Sequence, residues 1–133
     1  MLLVRDIMKR QVYAVEASAS AEEAAWGLTR RHIGGAPTLD DKGNVVGMIS
    51  KSDLVDPEPA QWIKGEATVG DLMSPDVRTI YAEDPAMAAV AEMAKSGVHR
   101  LVVLGADSKM VGIVTAMDIV LAMARGERFD LDA

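Results

Sequence analysis

No cysteine occurs among the 133 residues. That excludes a disulfide scaffold, a thiolate zinc centre and a cysteine nucleophile, and it suits a reducing compartment. Aromatic residues are nearly as scarce, at 2 Trp, 2 Tyr and 1 Phe, so the core must be aliphatic. No apolar stretch approaches the length needed to span a bilayer. The opening Met1-Leu2-Leu3-Val4-Arg5-Asp6 lacks the charged and apolar regions of a signal peptide, so a soluble, cytoplasmic protein without membrane insertion is expected. Basic charge is in deficit as well: 14 Lys and Arg against 20 Asp and Glu leave a net charge of −6. A phosphate backbone is repelled by that balance, which argues against nucleic-acid binding.

What the chain does have is repetition. A shift of 65 residues lays Asp6 on Asp71, Met8 on Met73, Ala21 on Ala86, Gly47 on Gly112 and Asp53 on Asp118, without a gap. Each half reads as strand, helix, strand, strand, helix. Strand-like segments are expected at 12–15 and 77–80. Helices follow with apolar residues at i, i+3, i+4 and i+7: Ala21, Ala24, Ala25 and Leu28, then Ala86, Ala89, Val90 and Met93. Ser20 and Glu23 read as a capping box, Pro85 as a first helical residue after Asp84, and Gly97 as a helix stop.

Hairpins are expected from 36–39 to 45–49 and from 101–104 to 110–114, with a last helix after Ser50 and after Thr115. Pro57 and Pro59 mark a linker, which Trp62 and Ile63 pack back onto the body. The organisation read from this pattern is a first repeat at 1–55, a linker at 56–67, a second repeat at 68–126 and a tail at 127–133.

Two segments carry a resemblance. Val46-Gly47-Met48-Ile49-Ser50-Lys51-Ser52-Asp53-Leu54 and Val111-Gly112-Ile113-Val114-Thr115-Ala116-Met117-Asp118-Ile119 strongly resemble the signature of the cystathionine β-synthase (CBS) domain. Asp71 to Ile80 resembles that family's opening motif. The resemblance implies an α/β fold of two pseudo-twofold-related β-α-β-β-α repeats forming one compact module. It also implies regulatory binding of an adenosine-containing ligand in clefts between repeats.

At Thr115, strand runs into helix, where unpaired N–H groups and the helix dipole favour a phosphate. Asp118, one turn on, offers two carboxylate oxygens to a ribose diol. Ser50 and Asp53 repeat the pair. On spacing alone the same residues form a capping box that needs no ligand; the resemblance points instead to ligand contact, and the two roles are compatible. It further implies that Thr79, with Ile80 beside it, and His99-Arg100 serve the nucleotide, although which cleft the latter two serve stays open. The first half has Ala14 and Gly34-Gly35 at those positions, with Lys51 or Arg30-Arg31-His32 as compensation. Arg30-Arg31 also reads simply as a solvated helix end. No His-x-x-x-His pair supports a metal reading of His99. The 9 methionines fit core gaps, with Met117 and Met123 also placed for interface use.

No nucleophile motif or phosphate loop is present, so an enzyme is not expected. The expected function is a regulatory module that senses an adenine nucleotide, needs no cofactor, forms a homodimer and controls a protein whose identity the sequence does not give. AMP, ADP, ATP, S-adenosylmethionine, NADH and cyclic dinucleotides all fit this reading. A ligand-independent dimerisation module is the alternative.

Overall fold

A computed structural model describes residues 1–54 and 67–129. The linker prolines, Trp62 and Ile63, and residues 130–133 of the tail lie outside the described residues. The elements are α1 (Val4–Ile7), β1 (Val15–Glu16), α2 (Ala21–Arg30), β2 (Gly35–Leu39), β3 (Val45–Ser50), α3 (Lys51–Leu54), α4 (Val69–Leu72), β4 (Thr79–Tyr81), α5 (Ala86–Ser96), β5 (Arg100–Leu104), β6 (Met110–Thr115) and α6 (Ala116–Ala124). The order β-α-β-β-α is present in both halves, each preceded by a one-turn helix that the periodicity did not disclose. Four residues are too few to show a period.

Local chemistry explains most boundaries. Ser20 Oγ accepts from the Glu23 N–H at 3.1 Å, half of the expected capping box. Gly97 closes α5 in the left-handed region, its N–H donating to Met93 O. Pro85 is the N-cap of α5 rather than its first helical residue, because the Asp84 carboxylate turns back to the Tyr81 N–H at 2.9 Å. Strands β1 and β4 start later than expected: their parallel ladders run only through Val15–Thr38 and Glu16–Leu39, and from Thr79–Val102 to Tyr81–Leu104. The hairpins fall on the expected segments, with a bulge after Thr38 and after Val103.

The chain divides into two compact units, Met1–Val12 with Arg78–Ala133, and Tyr13–Val77. Packing therefore cuts the chain differently from the sequence repeat. Each unit takes its leading one-turn helix from the opposite repeat. In the first, a sheet ordered β4-β5-β6 packs Leu101, Val103 and Val114 against Ala86, Ala89, Ile119 and Val4. In the second, a sheet ordered β1-β2-β3 packs Ala36 and Ile49 against Ala24, Leu28 and Val69.

The two repeated glycines mark where the leading segments land. A Cβ on Gly112 would lie 2.5 Å from Lys9 O and 2.9 Å from Met8 Sδ. One on Gly47 would lie 2.6 Å from Met73 Sδ and 2.7 Å from Ser74 O. The backbone of Lys9 pairs with Ile113 on one side, and that of Ser74 pairs with Met48 on the other. The repeated Met and Gly are thus partners across a close backbone approach that no side chain at the glycine would permit.

Candidate functional site

In the first unit the sheet gathers six of the residues singled out from the sequence. Arg100 and Thr115 are cross-strand partners at one end, and Thr79 stands level with Val102 and Ile113, two rungs in. His99 and Thr79 are exposed, and Arg100 is half-buried. Ile80 points its side chain into the core, so only its main chain remains for any ligand.

Thr115 is the N-cap of α6 and forms a closed capping box with Asp118. Asp118 Oδ2 accepts from the Thr115 N–H at 2.9 Å and from the Thr115 hydroxyl at 3.0 Å. The Asp118 N–H in turn donates to Thr115 Oγ1 at 3.2 Å. The carboxylate is only 6% exposed, and Lys9 Nζ donates to its second oxygen, Oδ1, at 2.6 Å. Lys9 arrives there because its main chain exchanges both hydrogen bonds with Ile113, at 2.8 and 2.9 Å.

This corrects the expectation of unpaired N–H groups at the strand-to-helix junction. The Ala116 N–H donates to His99 O at 2.9 Å and the Asp118 N–H to the threonine hydroxyl. Among the described residues, Met117 is the one first-turn position whose N–H is left without such a partner. The junction still directs positive potential outward, but through one open donor rather than three.

In the second unit Ser50, Lys51 and Asp53 form the corresponding junction. Asp53 Oδ2 accepts from the Ser50 N–H at 2.9 Å and its hydroxyl at 3.0 Å. The Lys51 N–H donates to Gly34 O at 2.9 Å. The position matching Lys9 is Ser74, whose hydroxyl accepts from the Asp76 N–H at 3.3 Å. Among the described residues, no lysine meets Asp53. Lys51 is exposed, and Arg30 and Arg31 lie over aromatic rings, 5.2 Å from the Trp26 centroid and 3.9 Å from that of Tyr13.

Both junctions are built from the same glycine, hydroxyl and acid at the same spacing, and each hydroxyl and acid is tied to the other. The CBS domain model matches residues 4–57 and 69–125. The chain belongs to the CBS domain family. Its fold is similar to that of CBSX2 in complex with AMP, at 27% identity and TM-score 0.82, over 96% of this chain and 100% of that one. It is also similar to the CBS domain pair of protein MJ0100 in complex with 5′-methylthioadenosine and S-adenosyl-L-methionine, at 25% identity and TM-score 0.79, over 96% and 99%. Among curated relatives, the uncharacterized protein MJ1232 of Methanocaldococcus jannaschii is 32% identical over 87% of this chain. The chain spans 38%, 22% and 60% of the length of the first three curated relatives it matches.

Lys9 is the residue that sequence reasoning on the CBS motifs missed. One signal for it existed. The repeat places it immediately after the shared Met8/Met73 position, where the other half has Ser74. Among the described residues, no group of His, Asp and Glu is arranged to hold a metal ion, and no helix is long and apolar enough to cross a membrane.

Proposed function

We propose that this CBS pair is a regulatory module that binds an adenosine-containing nucleotide with the Thr115–Asp118 junction at the centre of its site. The observation that carries this reading is the nearly buried Asp118 carboxylate in the first turn of α6, whose N-cap Thr115 is the cross-strand partner of Arg100 in the sheet that also holds Thr79. In this reading Asp118 takes one ribose hydroxyl on Oδ1, the oxygen Lys9 also holds, rather than both hydroxyls of the diol. Its Oδ2 is filled by the Thr115 N–H and hydroxyl. The open Met117 N–H, Thr115 and Arg100 face the phosphate, and His99 and Thr79 border the ligand through exposed polar atoms. Ile80 contributes its main chain. Ser50, Lys51 and Asp53 form a second, less equipped junction. The AMP, 5′-methylthioadenosine and S-adenosylmethionine complexes of similar CBS pairs support the ligand class. The module acts in the cytoplasm without chemistry of its own, as a homodimer that controls another protein.

The closed capping boxes support a second reading, in which the CBS pair assembles and docks without ligand. A thermal-shift panel with AMP, ADP, ATP, S-adenosylmethionine, NADH and cyclic dinucleotides separates the two. A ligand that binds only the folded state raises the melting temperature by mass action. A rise with one adenosine compound and none with guanosine controls is expected. No rise with any compound leaves the assembly reading alone.

A further inference from the structure

Lys9 sets a positive charge on the carboxylate that the nucleotide reading needs. Its Nζ donates to Asp118 Oδ1 at 2.6 Å, and its side chain stays 56% exposed. The main chain beneath it is fixed. It exchanges two hydrogen bonds with Ile113, and a Cβ on Gly112 would lie 2.5 Å from Lys9 O. A lysine has three donor hydrogens and spends one on Oδ1, while that oxygen keeps a second acceptor site open. The ammonium and an incoming hydroxyl can therefore share the carboxylate.

Charge decides what such a site accepts. A lone carboxylate at the ribose repels a phosphate carried on the same nucleoside and attracts a cation there. With Lys9 in place, the Lys9–Asp118 pair sums to zero. Arg100, the cross-strand partner of Thr115, then stands as a surplus positive charge, since among the described residues no acid forms an ion pair with it. A phosphomonoester carries about −1.5 to −2 near pH 7 and gains from that surplus. The sulfonium of S-adenosylmethionine is opposed by it. The position matching Lys9 in the other repeat is Ser74, and no lysine among the described residues meets Asp53. The counter-ion is thus not a by-product of the internal repeat.

We propose that Lys9 is a specificity-determining residue. By neutralising Asp118 it makes the Thr115–Asp118 junction select an adenosine ligand with a 5′-phosphate over one with a neutral or cationic 5′-group. This rests on the nucleotide reading given above and chooses among the ligands that reading leaves open.

Titration calorimetry with AMP, 5′-methylthioadenosine and S-adenosylmethionine tests it on wild type, Lys9→Met and Lys9→Arg, with circular dichroism confirming that each is folded. The three ligands share the adenosine and differ in the charge of the 5′-group. Wild type is expected to bind AMP at least about tenfold tighter than either of the others. Lys9→Met is expected to narrow that preference by about tenfold, through weaker AMP binding with little change for 5′-methylthioadenosine. Lys9→Arg keeps the charge and is expected to keep the preference. A second arm needs no variant: raising salt from about 0.05 to about 0.5 M is expected to weaken AMP binding to wild type and to leave 5′-methylthioadenosine unchanged.

Wild type that binds none of the three overturns the nucleotide reading and this inference with it. Wild type that binds either of the other two as tightly as AMP, or an AMP affinity indifferent to salt, overturns the selection by charge and leaves the nucleotide reading standing. A preference that survives Lys9→Met unchanged overturns the role of Lys9. Equal losses of AMP and 5′-methylthioadenosine in Lys9→Met overturn it as well, reducing Lys9 to a prop for Asp118.

Discussion

Lys9 and Asp118 are 109 residues apart in the chain, and their side chains meet at 2.6 Å. The ammonium is half exposed while the carboxylate is buried, so the pair sits at the edge of the first unit's interior. Its strength is measurable by a double-mutant cycle of Lys9→Met and Asp118→Asn in urea unfolding. A coupling of about 0.5–1 kcal/mol is expected, because screening at the lysine end limits the gain. Asp118→Ala should cost more than Lys9→Met, since it also removes the carboxylate half of the capping box and leaves the Thr115 N–H without its acceptor, a loss of about 1–3 kcal/mol. A coupling of zero would mean that solvent already separates the two charges.

Gly112→Ala and Gly47→Ala should each destabilise the fold by about 1–3 kcal/mol, the usual cost of forcing an atom into a filled space. The new methyl would press on Lys9 O in one unit and on Met73 Sδ and Ser74 O in the other. Chemical denaturation of the two variants measures this. Tolerance of both would mean that the leading segments do not lie against β3 and β6.

Two left-handed positions are occupied differently in the two repeats. Gly97 has φ +73° where the other repeat has His32 at +53°, and Gly43 has φ +82° where it has Ser108 at +62°. Histidine and serine are strained there by their Cβ. His32→Gly and Ser108→Gly should therefore each stabilise the protein by about 0.5–1 kcal/mol, once the added chain entropy of glycine is set against the relieved strain. Thermal unfolding of the single and double variants checks both the sign and the additivity.

Two carboxylates, exposed Asp71 and half-buried Asp40, carry depressed pKa values. Asp71 is held below 3.8 by the Thr68 backbone N–H and then by its hydroxyl, and Asp40 chiefly by the Asn44 N–H with help from that of Lys42. A depressed folded value contributes stability that is complete above the unfolded pKa and is lost as pH falls through the folded one. The stability difference between wild type and Asp71→Asn should therefore shrink as pH is lowered from about 6 to about 2.5. A difference that stays constant over that range would contradict the assignment.

What the sequence disclosed was local. The hairpin segments, the Gly97 stop and the Thr115–Asp118 box depend on neighbours within a few residues, and each reads correctly from spacing. Pro85 misled because the deciding contact, Asp84 to the Tyr81 N–H, competes with the helix for the same carboxylate. Lys9 was illegible from its own surroundings: its role depends on strand β6 lying beside it, more than a hundred residues later. The same holds for the division of the chain, where Met8 meets Gly112 and Met73 meets Gly47 although each pair spans the two repeats. The stacking of Arg31 on Tyr13 also joins groups that helical periodicity cannot relate, since Tyr13 precedes the helix.

The central claim is that Asp118 holds a nucleotide as well as a helix cap. Titration calorimetry with AMP on wild type, Asp118→Asn and Asp53→Asn tests it most directly. Hydrogen bonds to a charged group contribute about 1.5–3 kcal/mol each, and about 1.4 kcal/mol is tenfold in affinity. Asp118→Asn should therefore weaken AMP binding by at least about tenfold, with a smaller loss for Asp53→Asn and both variants folded. AMP binding unchanged in both variants would contradict the account, leaving the two carboxylates as helix caps alone.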